Sequence, residues 1–91
     1  MCANKQRIEE LYKIITSIDN VKTCKNFFED LCTLQEIDKM AQRVEAAKRL
    51  MNGETYETII NDADISSATL SRVSKCVKYG KGYTSVIKKK D

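Results

Sequence analysis

The sequence has no proline, no histidine and only three glycines in 91 residues. Without proline, no segment is forced out of a helix by a missing N–H. Alternation of β-branched with polar residues is absent too, whereas apolar residues recur at steps of three and four. An all-α chain of about six helices is expected. No run approaches the roughly 18 apolar residues of a membrane-spanning helix. The opening MCANKQRIEE has no apolar signal-peptide core, so a cytoplasmic protein is expected. The lack of histidine removes the commonest general base. The four cysteines, Cys2, Cys24, Cys32 and Cys76, include no C-x-x-C pair. No metal site is expected; they read as free thiols of a reducing compartment. The neighbours Glu9/Glu10 and Glu29/Asp30 diverge on a helix, and Cys24 and Cys32 have no evident activator, so no enzyme is expected. Tyr12, Tyr56, Tyr79 and Tyr83 read as packing residues.

What is present is charge, unevenly placed. The net charge is +3. Residues 72–91 carry Arg72, Lys75, Lys78, Lys81, Lys88, Lys89 and Lys90 against Asp91 alone. Residues 53–71 carry Glu54, Glu57, Asp62 and Asp64 and no base. A basic end on a near-neutral body suggests contact with a polyanion. The final KKKD reads equally well as a solvated tail.

Ninety-one residues suit one small domain whose core is marginal alone, so a partner subunit is plausible. A first helix is expected over Ala3–Ile18, with Ile8, Leu11, Ile15 and Ile18 on one face. A second covers Thr23–Cys32 and presents Phe27, Phe28 and Leu31. Thr33 to Glu36, TLQE, is a capping box opening a third helix. Its stripe is Ile37, Ala41, Val44 and Met51, widened by Met40, Ala47 and Leu50. Gly53 ends it. Thr55 caps a fourth helix through about Asp62. Ser66 caps a fifth, reaching Tyr79 before Gly80. YTSVIKKK is a possible last helix.

Two short helices joined by about three residues have helix-turn-helix spacing. Ile59, Ala63, Ile65, Leu70 and Val73 can meet in one core. That turns Ser67, Ala68, Ser71 and Lys75 outward. Short side chains let a helix enter the major groove, where Ser can bond a base edge and Ala can touch a thymine methyl. Arg72, Lys75 and Lys78 can neutralise phosphates. Asp64, where such turns usually carry glycine, and Ile60, where a small residue is usual, depart mildly from the pattern.

Over roughly Phe27 to Ser85, DLCTLQEIDKMAQRVEAAKRLMNGETYETI followed by SSATLSRVSKCVKYGKGY resembles the Trp repressor superfamily, most closely its YerC/YecD branch. The resemblance implies an intertwined all-helical homodimer that binds double-stranded DNA and regulates transcription, most simply as a repressor. It implies a single domain over 1–91: dimerisation helices in 1–32, a long central helix in 33–53 and the helix-turn-helix in 55–79. The DNA-binding set would be Ser66, Ser67, Ala68, Thr69, Ser71, Arg72, Lys75 and Lys78. An effector pocket would use Thr33, Arg43, Thr69, Arg72, Val73 and Cys76. Here the chain departs from the family. Val73 replaces a pocket glycine, and Cys76 replaces a serine that holds the ligand's amino group; a thiol is a poor acceptor. Glu57 and Ile60 stand where the repressor has basic residues. No cofactor is expected, although Arg43 and Arg72 would suit L-tryptophan or another small carboxylate. The alternative reading, from the acidic residues 54–64, is a helical protein-interaction module that has lost DNA binding.

Overall fold

Short polar side chains, Asn20, Thr33, Thr55 and Ser66, start four of the helices. The computed structural model describes residues 2–88, with side chains from Asn4 onward. Lys89, Lys90 and Asp91, most of the basic tail, lie outside the described residues. Those described form six helices and no strand, in two compact units that divide after Ile37.

In the first unit, α1 spans Cys2–Thr16 and α2 Val21–Leu31. The first helix ends two residues earlier than expected, because Ser17 and Ile18 donate to the carbonyls three back, at 3.1 Å each. These tight bonds close its last turn. The second starts two residues earlier than expected. Asn20 caps it, its side chain accepting from the Thr23 N–H at 2.8 Å. Phe27 and Phe28 meet edge to face, ring centres 5.7 Å apart. The capping box that opens α3, Leu34–Met51, forms as the sequence implies. Thr33 Oγ1 accepts from the Glu36 N–H at 3.1 Å, and Glu36 Oε1 accepts from the Thr33 N–H at 2.8 Å.

From Asn4 to Ile37 no residue is buried. Ile8 is half exposed, and Leu11, Ile15 and Ile18 are only partly covered. Val21 and Leu34 are open to solvent.

The second unit begins at Asp38 and holds the rest of α3 with α4 (Tyr56–Asp62), α5 (Ser67–Tyr79) and α6 (Gly82–Val86). Its core is Ala46, Ala47, Ile59, Leu70 and Val73, each at most 1% exposed. Leu50, Ile60, Ala63, Ile65 and Tyr83 pack partly buried around it. All five expected helix-turn-helix core positions therefore lie in one cluster. The stripe expected on α3 is corrected. Ala41 and Val44 are exposed; the expected Ala47 is buried, and beside it Ala46, which the stripe did not include. The tyrosines are corrected too: only Tyr83 packs against the core, while Tyr12, Tyr56 and Tyr79 are exposed. The last helix stops at Val86, short of the lysines.

Gly53 ends α3 at φ +89°. The Glu54 N–H reaches back to the Arg49 carbonyl at 3.0 Å, and the Gly53 N–H to that of Leu50 at 3.1 Å. This is the Schellman pattern, which needs a left-handed residue at Gly53. A Cβ there would meet no atom within 4 Å, so any cost of substitution is backbone strain. At Gly80 the demand is close approach: a Cβ would lie 2.7 Å from the Cys76 carbonyl oxygen. No helix is long and apolar enough to cross a membrane among the described residues.

Two substitutions check this account in denaturant titrations. Ile59→Ala should cost about 2–5 kcal/mol by opening a cavity under α4. Gly53→Ala should cost about 1–2 kcal/mol through strain alone.

Candidate nucleic-acid interface

The two helices of the candidate interface are each started by a hydroxyl. Thr55 Oγ1 accepts from the Thr58 N–H at 3.1 Å and lies 2.8 Å from Thr58 Oγ1. After Asp62 the Ala63 N–H closes α4 onto the Ile59 carbonyl at 2.8 Å. The chain turns through Ala63, Asp64 and Ile65. Ser66 Oγ then accepts from the Thr69 N–H at 3.2 Å and donates to Thr69 Oγ1 at 2.9 Å. Ser66 is thus occupied in starting α5.

Leu70 and Val73 point α5 into the core, at 0% and 1% exposure. The opposite face carries Ser67, Ala68, Ser71, Arg72, Lys75 and Lys78, all exposed. It bears no large apolar side chain along that stretch. A buried aliphatic pair and a face of small and basic residues come from one sequence of thirteen residues, which Ser66 caps.

Two of the expected effector residues share a cavity. Arg43 and Thr69 line one polar cavity of about 270 Å³ with Lys39, Gln42, Asp64 and Ser66. Arg72 and Val73 do not line it. Val73 is sealed in the core, and Arg72 is exposed. Cys76 opens onto a separate apolar groove beside Val44, Tyr83 and Val86. Thr33 belongs to the first unit, where it caps α3. Cys24, Cys32 and Cys76 are free thiols.

Sequence reading missed Arg49. Its Nε and Nη2 both donate to Glu54 Oε1, at 2.8 and 2.7 Å, and Nη2 also donates to Asp62 Oδ2 at 2.8 Å. The hydrogen bond to Glu54 raises the arginine's pKa further. Two of the four carboxylates of the acidic patch, Glu54 and Asp62, therefore share one cation, and Arg49 offsets one of the four negative charges. A signal existed: with Gly53 as the left-handed residue, Arg49 and Glu54 take the two Schellman positions that often touch. Here an ion pair stands where an apolar contact is usual.

A model of the family described as Trp repressor protein matches residues 6–91. The chain belongs to the Trp repressor family. The uncharacterised protein YerC of Bacillus subtilis (strain 168) is 41% identical over 75 residues, 82% of this chain and 72% of YerC. Two solved structures superpose with a TM-score of 0.83 each, over 89% of this chain. One is a candidate Trp repressor from Staphylococcus aureus, 38% identical, with 82% of its chain covered. The other is a Trp-repressor-like protein from Eubacterium eligens, 40% identical, with 84% covered. The six helices of the described residues form a Trp-repressor-like fold.

Proposed function

We propose that this chain is a cytoplasmic, sequence-specific DNA-binding transcription regulator, a repressor, acting as a homodimer. It forms one domain in which α4 and α5 are the helix-turn-helix and α5 is the recognition helix. The observation that carries the reading is the outer face of α5. Ser67, Ala68 and Ser71 permit close approach to base edges, and Arg72, Lys75 and Lys78 supply charge for phosphates. Ser66 and Thr69 set the helix start and complete the set.

The first unit supports the homodimer. Among its described residues no apolar side chain is buried, and a segment of that kind needs cover from outside itself. A second copy supplies it symmetrically, and two recognition helices then meet successive major grooves.

Val73 makes tryptophan dispensable. It occupies the place of the family's pocket glycine and is buried at 1% exposure. Burying its side chain contributes about 1.5–3 kcal/mol, enough to bias a two-state helix orientation by about tenfold or more. The repressor pose is then held by the core.

Three measurements check these statements. Duplex titration at two salt concentrations should show affinity falling steeply with salt. Arg72→Ala and Lys75→Ala should each lower the salt slope by about one per chain, while Ser71→Ala and Ala68→Val change preference among duplexes. Absence of binding to any duplex would favour the protein-interaction alternative. Calorimetric titration of L-tryptophan should show no binding; a dissociation constant at or below roughly 0.1 mM, with DNA affinity rising, overturns the ligand-free pose. Sedimentation equilibrium should give twice the mass of one chain. Removal of residues 1–18 should yield aggregate, and a well-folded monomer after that removal sinks the dimer.

A further inference from the structure

The helix that precedes the recognition helix is weakly anchored by itself. It has seven residues and one fully buried side chain, Ile59. A helix that short has little stability of its own. Its last residue, Asp62, places a carboxylate at the negative end of the helix dipole, where it is unfavourable without a cation.

Arg49 meets both ends of this helix at once. Glu54 directly precedes the cap Thr55, and Asp62 is the final residue of α4. One guanidinium holds Glu54 through Nε and Nη2 and Asp62 through Nη2, all within 2.8 Å. The Arg49 carbonyl also takes the Glu54 N–H. The arginine side chain is only 16% exposed, although Asp62 is 69% exposed. The planar fork is what allows three bonds from one group; a lysine ammonium would not reproduce that geometry.

We propose that Arg49 is a positioning residue for DNA binding, a latch that grips α4 at both ends and fixes where the turn 63–65 leaves it. The direction in which α5 is presented follows from that turn. Arg49 itself touches no DNA. The proposal rests on the DNA-binding reading above.

The test uses the full chain and the duplex that the parent selects most strongly from a random pool. Dissociation constants are measured for the parent, Arg49→Gln, Asp62→Ala, the double variant and Arg49→Lys. The temperature is one at which circular dichroism shows every variant fully folded. Each of the first two single variants should weaken binding by about threefold to tenfold, and the double variant should be no weaker than either. Arg49→Lys should recover part of the loss. Asp62→Ala is decisive because it removes a negative charge beside the interface. Charge alone would tighten DNA binding; loss of the latch weakens it. An Asp62→Ala variant that binds as well as the parent or better overturns the proposal, as does additivity in the double variant. A parent that binds no duplex overturns the DNA-binding reading and this one with it. A parent that binds, with variants that match it, overturns this one alone.

Discussion

Two adjacent alanines set how closely the second unit can pack. Ala46 and Ala47 are essentially inaccessible, and they share one cluster with Ile59, Leu70 and Val73. A methyl group is all that α3 offers at these places, so α4 and α5 can bring branched side chains near its backbone. Among the described residues only three large side chains are fully buried. Each contributes about 1.5–3 kcal/mol, a large part of the net stability of any small domain. Everything functional on α5 depends on this arrangement, since Leu70 and Val73 decide which face of the helix is left for solvent.

The features legible in the sequence were local ones. Thr33, Thr55 and Ser66 cap their helices through an acceptor three residues before the N–H it satisfies, and such a pair is visible in the chain order itself. Gly53 was legible for the same reason. The helix-turn-helix core could be read because its aliphatics stand at helical steps around a short turn. The buried face of α3 was legible only in part, at Ala47 and Leu50. Large aliphatics such as Val44 attract attention in a pattern, yet closeness of packing favoured alanine there, and Val44 lies 43% exposed. The Asn20 cap was overlooked because the apolar pattern begins after it. Arg49 was illegible as a partner of Asp62 since the pair is thirteen positions apart and depends on how α4 folds back.

The site residues divide by role once burial is known. Ser66 and Thr69 are occupied with each other and with the start of α5. Ser67, Ala68, Ser71 and Lys75 have no such task. Val73 stands between the two groups: it belongs to the core by burial and to the family's ligand site by position. On the proposed reading, a side chain in the core has taken over what a small molecule does elsewhere, and conditional binding becomes constitutive. The cost is that one core residue then serves both stability and recognition, so the two cannot vary independently.

The open first unit carries a consequence for the cell. Residues 4–37 emerge from the ribosome before 38–88 and contain no buried side chain. Charged residues such as Lys5, Arg7, Glu9, Lys13, Lys22 and Glu29 break up their apolar stretches and discourage aggregation in the interval. If a second copy provides the cover, the folded fraction depends on how many copies are present. Below a threshold of expression the chains stay apart and exposed to proteolysis; above it they assemble and persist. The abundance of the regulator then becomes a signal in its own right, with a sharper response than any single chain could give.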